Sequence, residues 1–425
     1  MDINKLLEGV ACTCGKKHTC NIDYVYIEKN AIAHLTDICQ GKDSVLLVAD
    51  ENTFAAAGAQ TRTALAGKRI KNVIFSGKQI LVPNEAAIET VTKNLDDCDL
   101  IVGVGSGVIQ DLCKYVSHTC NVPYIIVATA PSMDGYASTG AAMITGGMKV
   151  TYPAGLPMAI LADTEVLANA PIDMLKAGYG DVIGKFSALN DWKLSHLING
   201  EYFCAYIYDL TFRQIEATLK LGSGILKRRE ESVRALMEAL VVIGILMSFA
   251  GSSRPASGSE HHLSHFFEIT GILTNSDYFS HGIDVAYSTV VTARLREMLR
   301  NTPFPDTIYR PGKDFYRKRM ENIYDSSAKG CIELQDKIGN YKRHTAKMYA
   351  SRETEIKQIL AEMPTAGEIE NMLFQVGLDM QEFHAFYGEE KIKDAILYAK
   401  DLKDRYTVLW LFYDLLGGNY DESFH

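Results

Sequence analysis

The sequence has no long apolar run, no excess of basic residues and no evenly paired set of cysteines. The longest apolar stretch, residues 239–250, is shorter than the roughly 18 residues that a membrane span needs, so no span is expected. A net charge of -9 argues against a nucleic-acid partner. Nine scattered cysteines do not indicate a disulfide framework. Because the N-terminus also lacks the order of a signal peptide, we expect a cytoplasmic protein.

A chain of 425 residues is long enough for two domains. Its first third alternates short β-branched runs with amphipathic segments, which predicts an α/β dinucleotide-binding domain with a parallel sheet over residues 1–165. Helical periodicity then dominates and predicts an all-α domain over residues 166–425. Between the two patterns, residues 128–163 are rich in small and turn-forming residues and predict loops with a short hairpin. The predicted strands are residues 44–50, 72–75, 99–103 and 122–127.

A glycine-rich turn, Gly103-Val-Gly105-Ser106-Gly107, follows a predicted strand and opens a predicted helix. Backbone N–H groups at such a helix start can bind a pyrophosphate. The spacing is G-x-G-x-G, not the usual G-x-G-x-x-G, and a plain tight turn would also explain it. No acidic residue ends a strand about 20 residues later, as a dinucleotide fingerprint requires. Asp50 does end an earlier strand, where it either binds a ribose or caps the next helix.

Three separated segments carry candidate metal ligands. Asp181 and Lys185 lie one turn apart on a predicted helix, His261, His262 and His265 follow a Ser-Gly-Ser-Glu segment, and His281 precedes another helix. One carboxylate and two imidazoles suit Zn²⁺ and also accept Ni²⁺ or Fe²⁺. Three protein ligands would leave open coordination positions, as in a catalytic site. Spacing alone does not choose between His261 and His262, and isolated histidines are more often hydrogen-bonded or surface residues.

These segments together resemble the superfamily of iron-containing polyol dehydrogenases and dehydroquinate synthases, and within it the bacterial sn-glycerol-1-phosphate dehydrogenases. The resemblance covers most of the chain and is weakest over residues 301–390. It implies a dinucleotide-binding α/β domain, a helical domain, and an active site in the cleft between them. The segments that carry it are Gly103–Lys114, Pro131–Ser138, Gly180-Asp181, Asp191-Trp192, Arg254–His261, His281-Gly282, Arg405–Thr407 and an N-terminal Cys-x-Cys-Gly-x-x-His.

The resemblance implies that Asp181, His261 and His281 bind one divalent metal ion (Zn, Ni or Fe). It also implies reduction of a phosphorylated triose, dihydroxyacetone phosphate, to sn-glycerol 1-phosphate by NAD(H) or NADP(H). The metal would polarise the C2 carbonyl, while the nicotinamide supplies the hydride. His265, as the second histidine of an H-x-x-x-H spacing, or a metal-bound water would relay the proton. Lys185 is the other candidate catalytic residue.

The remaining site predictions follow from the same resemblance and from residue chemistry. Thr129 and Ser132 are expected on the nicotinamide side, and Asp111 is expected to cap or orient the glycine-loop helix. Arg254 is a candidate donor to the substrate phosphate, with an ion-paired structural role as the alternative. Substrate-binding candidates are Asp134, Arg254 and Ser257, with Lys149 and Lys185 as further phosphate donors. Cofactor-binding candidates are Asp50, Gly105, Ser106, Gly107, Asp111, Thr129, Ser132 and Ser138.

Three other functions compete with this one. A polyol dehydrogenase acting on unphosphorylated glycerol is disfavoured by the Arg- and Ser-rich approach to His261. A dehydroquinate-synthase-like lyase is disfavoured because that family typically uses Glu where Asp181 stands. A catalytically inactive relative is disfavoured by the intact ligand set and glycine loop. A homo-oligomer is possible, with the polar helical segment 310–368 as its self-association surface.

The N-terminal cysteines and histidine suggest a second metal site, formed by Cys12, Cys14, His18 and Cys20. Their spacings of one, three and one residues are tight for a tetrahedral structural zinc. Similar N-termini in related chains favour a solvent-facing strand turn instead. We therefore expect a turn here, with metal binding as the alternative.

Overall fold

The computed structural model describes residues 3–146, 148–308, 310 and 312–416. It forms two compact units, one of residues 1–182 and 205–253 and the other of residues 183–204 and 254–425. The sequence had placed the division near residue 165. The difference arises because residues 205–253 are helical, like the second unit, but pack with the α/β part of the chain.

The first unit contains every strand in the described residues. Six strands form one sheet, and two short antiparallel pairs lie outside it. The strands are β1 (Val10–Ala11), β2 (Lys17–His18), β3 (Tyr24–Glu28), β4 (Ser44–Asp50), β5 (Arg69–Phe75), β6 (Leu100–Gly105), β7 (Tyr124–Ala128), β8 (Gly140–Thr145), β9 (Met148–Pro153) and β10 (Ala159–Asp163).

The six-stranded sheet is parallel throughout, in the order β3-β10-β7-β6-β4-β5. Its four inner strands are buried almost without interruption, which explains their continuous apolar runs, since a parallel sheet is covered on both faces. The four predicted strands and the predicted hairpin, β8-β9, are confirmed. The sequence analysis missed β3 and β10, which pair with each other at one edge.

The helices of the first unit pack around its sheet, and this unit also includes the helices within residues 205–253. A long helix, α8, begins in this unit and ends in the second, because the division falls at Val182. The helices are α1 (Ile3–Leu7), α2 (Leu35–Ile38), α3 (Glu51–Thr53), α4 (Ala59–Ala64), α5 (Glu85–Lys93), α6 (Gly107–Cys120), α7 (Thr164–Ala168), α8 (Ile172–Asn199), α9 (Ala205–Leu219), α10 (Gly222–Leu226) and α11 (Glu230–Ala250), with 3-10 turns at Ala31–His34 and Gly135–Ala137 and a π-helical turn at Phe54–Gly58.

Helix α11 is the apolar segment noted in the sequence. It is long and apolar enough to cross a membrane by length and composition, but 78% of its most apolar window is buried inside the protein. It packs against α9 and the Gly135–Ala137 turn. A buried core helix therefore accounts for its composition.

The second unit is entirely helical in its described residues. Two neighbouring helices, α12 and α13, pack closely and carry the candidate histidines. The helices are α12 (Ser259–Thr274), α13 (His281–Asn301), α14 (Lys313–Tyr324), α15 (Ala328–Ile338), α16 (Asn340–Arg343), α17 (Ala346–Ser351), α18 (Glu353–Leu360), α19 (Ala366–Phe374), α20 (Met380–Tyr398) and α21 (Val408–Leu416), with 3-10 turns at Asp325–Ser327 and Ala399–Leu402.

Candidate functional site

The sheet has a topological switch point at β4. From this strand the chain goes to β5 on one side, and then returns to β6 on the other. Asp50 and Gly105 are the last residues of β4 and β6, which are adjacent and parallel. Ligands of open parallel sheets bind beside the carboxyl ends of strands at such a point. The topology therefore brings together the predicted ribose carboxylate and the predicted phosphate turn.

Asp50 also performs the alternative role considered for it. Its Oδ1 accepts the backbone N–H groups of Asn52 at 2.8 Å and Thr53 at 2.9 Å, and Thr53 completes a capping box at the start of α3. These bonds hold the carboxylate at the strand end. Capping and ribose binding are compatible, because a carboxylate has two acceptor oxygens.

The glycines of the turn allow α6 to approach β6 closely. A Cβ added at Gly105 would lie 2.6 Å from Cβ of Ile109, and one at Gly103 would lie 2.8 Å from Sγ of Cys113. Ser106 precedes α6 and makes no side-chain cap to it. The first N–H groups of a helix are a common phosphate site, and phosphate binding by Ser106 and Gly107 stays a prediction.

Lys114, which the sequence analysis did not assign, organises the segment after β7. Its buried Nζ donates to the carbonyl oxygens of Gly135 at 2.8 Å and Gly140 at 2.9 Å, and lies 3.3 Å from Oγ of Ser138. Asp111 pairs with it at 3.5 Å. Burial lowers the pKa of Lys114 and raises the pKa of Asp111. The i, i+3 spacing on a helix was the signal that could have revealed this pair.

This network changes the interpretation of two cofactor candidates. Asp111 does not cap α6, because it lies in the second turn and faces Lys114. Ser138 donates to the Gly135 carbonyl at 3.1 Å and contacts Lys114. Both residues support the loop from within, and neither contact requires a bound cofactor. Lys149, on β9, adds a positive charge near Asp111.

The loop after β7 carries the other predicted nicotinamide and substrate residues. The Thr129 N–H donates to the Gly105 carbonyl at 3.1 Å, so the loop starts beside the glycine turn. Ser132 hydrogen-bonds the buried Tyr136 hydroxyl. The Asp134 N–H donates to Oδ2 of Asp181 at 2.9 Å. The same loop thus connects the glycine turn to the first predicted metal ligand.

The three predicted metal ligands form one group. One ligand atom from each of Asp181, His261 and His281 lies within 4.8 Å of the other two. Asp181 is on α8, His261 is in the first turn of α12, and His281 is the first residue of α13. Asp181 and His261 are buried and His281 is half-buried. One carboxylate and two imidazoles at this separation fit a divalent transition metal.

Each histidine of the group has a hydrogen-bond partner on its Nδ1 side. Nδ1 of His261 lies 2.7 Å from Oε1 of Glu260, which also accepts the Gly258 N–H at 2.8 Å. Nδ1 of His281 lies 3.2 Å from Oγ of Ser264. A carboxylate that accepts Nδ1–H fixes the tautomer and leaves Nε2 as the ligand atom. Burial raises the pKa of Glu260, which the sequence analysis quoted but did not assign.

The start of α12 is held by a buried ion pair. Oδ1 of Asp191 accepts from Arg296 at 2.7 Å, and its Oδ2 accepts the Ser259 N–H at 2.6 Å. Oδ1 also accepts the Val408 N–H at 2.8 Å, at the start of α21. Asp191 therefore supplies the N-terminal acceptor that Gly258, lacking a side chain, does not. This fixes the backbone that carries His261.

The two other histidines near the start of α12, His262 and His265, lie outside the ligand group. The His265 ring is buried, and its centroid lies 5.5 Å from that of His281 and 6.2 Å from that of His261. His262 is fully buried, and burial lowers its pKa well below the usual range. Lys185, one turn after Asp181, is also fully buried.

Arg254 has the structural role that was the alternative to phosphate binding. Its Nε donates to Glu201 at 2.6 Å and a second guanidinium nitrogen donates to the other Glu201 oxygen. The same side chain donates to the Tyr406 carbonyl at 3.0 Å and to Oγ of Ser195 at 3.1 Å. Each of the three guanidinium nitrogens therefore donates to another group of the protein. Arg254 is for this reason poorly placed to bind a substrate phosphate.

Ser257 and Arg405 lie at the approach to α12. Oγ of Ser257 is buried and has no hydrogen-bond partner among the described residues. Its carbonyl accepts from Arg405 at 2.9 Å. Burial, followed by the charge of Arg254, lowers the pKa of Arg405 to about 10. From sequence, Arg405 was noted only as part of a segment that carries the family resemblance. A cation beside a serine-rich turn is a candidate phosphate-binding group.

The fold of this chain is similar to those of several solved dehydrogenases and reductases. A probable glycerol dehydrogenase from Sinorhizobium meliloti superposes with a TM-score of 0.62 at 16% identity, covering 94% of this chain and 97% of the other. Sulfoacetaldehyde reductase from Bifidobacterium kashiwanohense, solved with NAD+, gives a TM-score of 0.60 at 14% identity, covering 95% and 99%. Residues 26–171 match the family model described as iron-containing alcohol dehydrogenase. The fold is thus that of the iron-containing alcohol dehydrogenases.

Sequence relatives define the family more narrowly. A glycerol-1-phosphate dehydrogenase [NAD(P)+] from Halalkalibacterium halodurans is 30% identical over 407 residues, or 94% of each chain. A protein of the same name from Thermococcus sibiricus is 35% identical over 289 residues, covering 63% of this chain and 81% of the relative. The chain belongs to the glycerol-1-phosphate dehydrogenase family.

Proposed function

We propose that this protein catalyses the metal-dependent, NAD(P)H-linked reduction of dihydroxyacetone phosphate to sn-glycerol 1-phosphate, and the reverse oxidation. The observation that carries the proposal is the Asp181, His261 and His281 group, with an ordered hydrogen bond behind each imidazole. Relatives that match over nearly the whole chain carry the name glycerol-1-phosphate dehydrogenase [NAD(P)+]. We further propose that the enzyme acts in the cytoplasm, where a chain with nine cysteines and no disulfide framework would keep its thiols reduced.

The ligand group fits a catalytic metal better than a structural one. Three protein ligands leave coordination positions for a substrate oxygen, whereas structural zinc sites are closed by four. A bound Zn²⁺, Ni²⁺ or Fe²⁺ ion would polarise the C2 carbonyl and stabilise negative charge on its oxygen. Asp181 contributes the anionic ligand, and the Asp134 N–H holds its carboxylate in position.

The cofactor is assigned to the switch point of the sheet. We assign Asp50 to the adenosine ribose, and the N–H groups of Ser106 and Gly107 to the pyrophosphate, because sheets of this topology bind dinucleotides at this point. We assign Thr129 and Ser132, in the loop between the glycine turn and Asp134, to the nicotinamide side. A bound nicotinamide supplies the hydride, while these residues orient it.

A proton must reach the substrate oxygen as the hydride arrives at C2. His265 is the candidate donor, because its ring lies next to both ligand histidines without belonging to the ligand group. Lys185 is the second candidate acid, one turn after Asp181. Its side chain is fully buried.

The substrate phosphate is assigned to Ser257 and Arg405. Oγ of Ser257 is a buried hydroxyl whose hydrogen-bonding capacity no described residue uses. Arg405 is fixed against the Ser257 backbone and brings the positive charge that Arg254, paired with Glu201, does not. Asp134 is retained as a ligand of the substrate hydroxyls.

A direct test compares carbonyl substrates. The enzyme is stripped of metal, reconstituted in turn with Zn²⁺, Ni²⁺ or Fe²⁺, and NADH oxidation is followed with dihydroxyacetone phosphate or dihydroxyacetone. We expect metal-dependent turnover and a kcat/KM at least tenfold higher for the phosphorylated substrate, corresponding to about 1.4 kcal/mol. Equal values for the two substrates would instead support the polyol dehydrogenase alternative.

A further inference from the structure

A second group of metal-ligating side chains lies at the N-terminal hairpin. One ligand atom from each of Cys12, Cys14, His18 and Cys204 lies within 4.8 Å of the other three. Cys204 is 190 residues from Cys14 in sequence and directly precedes α9. Cys20, the fourth ligand considered from sequence, is not in the group. The fourth member of the group is therefore Cys204 and not Cys20.

The hairpin presents its three ligands by a defined turn. β1 and β2 pair with Val10 opposite His18, and the loop between them contains both cysteines. The Cys12 N–H donates to the Lys16 carbonyl at 3.1 Å. Gly15, at φ +85°, adopts the left-handed conformation that the tight turn requires. The turn brings the two cysteines of a Cys-x-Cys segment to the same end of the hairpin.

His18 is oriented as a ligand would be. It is buried, contrary to the solvent-facing turn expected from sequence, and its ring stacks on Phe249 at 5.3 Å and Tyr206 at 6.3 Å. Its Nδ1 lies 3.1 Å from the Phe249 carbonyl oxygen, which can only accept, so Nδ1 carries the hydrogen. In the neutral ring, Nε2 is then the lone-pair atom.

The separation between His18 and Cys14 matches a tetrahedral zinc site. Nε2 of His18 lies 3.5 Å from Sγ of Cys14. A tetrahedral ion with Zn–S of about 2.3 Å and Zn–N of about 2.0–2.1 Å requires an S···N separation of roughly 3.5–3.6 Å. Histidines that bind a metal usually donate their other ring N–H to a carbonyl or carboxylate, as Nδ1 of His18 does to the Phe249 carbonyl.

We propose that Cys12, Cys14, His18 and Cys204 bind one structural Zn²⁺ ion. Three thiolates and one imidazole fill a tetrahedral shell, so no position remains for a substrate. The site joins the hairpin to the start of α9 and, through His18, to the end of α11. It is separate from the Asp181 group and does not depend on the proposed reaction.

Metal content tests the site independently of catalysis. Zinc per chain is measured by mass spectrometry in full-length protein carrying Asp181→Asn, which removes a ligand of the other group. We expect Cys14→Ser in this background to lower zinc by one equivalent per chain. Cys120→Ser, the same change at a half-buried cysteine outside the group, should leave zinc unchanged. Equal zinc in the Cys14→Ser and Cys120→Ser proteins would overturn the proposal.

Cobalt substitution tests for thiolate ligands in the wild-type protein, so this test does not depend on the folding of a variant. Wild-type protein produced with Co²⁺ should show a near-ultraviolet thiolate-to-cobalt charge-transfer band, which the sulfur-free Asp181 group cannot give. Loss of the band in folded Cys12→Ser protein would assign it to this hairpin. A folded wild-type protein without the band, or with a disulfide between Cys12 and Cys14, would refute the site.

Discussion

Glu260→Gln is expected to weaken metal binding while leaving all three ligands in place. Oε1 of Glu260 lies 2.7 Å from Nδ1 of His261, so the ligand imidazole is oriented by a charged acceptor. Glutamine keeps an acceptor oxygen and nearly the same shape but loses the charge. Charge-assisted hydrogen bonds are roughly twice as strong as neutral ones and are worth about 1.5–3 kcal/mol.

The expected loss is therefore about 10- to 100-fold in metal affinity, or about 1.4–2.7 kcal/mol. The assay is competition for Zn²⁺ against a chromophoric chelator at constant pH. Glu297→Gln is the matched control, because this half-buried carboxylate on α13 accepts the Ala366 N–H at 3.0 Å, away from the ligand group. An affinity in Glu260→Gln equal to that of the control would refute the orienting role.

Four further substitutions test the buried lysine, the glycine turn and the two arginines near α12. Lys114→Met should lower the free energy of unfolding by about 3–5 kcal/mol in urea titrations, because it leaves buried carbonyls and Asp111 without their cation; a change below about 1 kcal/mol would contradict this. Gly105→Ala should cost about 1–3 kcal/mol and weaken NADH binding measured by fluorescence, because the added Cβ meets Ile109; unchanged affinity would argue against the phosphate turn. Arg405→Met should raise the KM for dihydroxyacetone phosphate at least tenfold, whereas Arg254→Met should mainly lower stability; the opposite pattern would restore Arg254 as the phosphate ligand.

Elements with a strong local pattern could be predicted from sequence. β4, β6 and β7 are buried on both faces, so their apolar runs are continuous, and the apolar side chains of α6 and α11 mark those helices. The edge strand β3 is half-exposed and lacks such a run, which is why it was missed. The division between the units depended on tertiary packing of residues 205–253, which no local pattern encodes.

Residue type and spacing suggested a metal site but did not choose between His261 and His262, and the family resemblance supplied the full ligand set. Asp181, His261 and His281 form the group that was expected, and His262 lies outside it. The roles of Arg254 and Asp111 could not be read from sequence, because their partners, Glu201 and Lys114, are identified by three-dimensional contacts. The part of Cys204 in the N-terminal group could not be predicted for the same reason, because Cys204 is far from the hairpin in sequence.

The central claim is that Asp181, His261 and His281 hold the metal that the reaction requires, apart from the cofactor site. The most direct test measures metal retention, NADH binding and turnover of dihydroxyacetone phosphate in wild type and in Asp181→Asn, each loaded with Zn²⁺ and passed through a desalting column. We expect the variant to bind NADH like wild type, to lose one equivalent of metal and to have no measurable turnover. Retention of that metal together with wild-type turnover would contradict it.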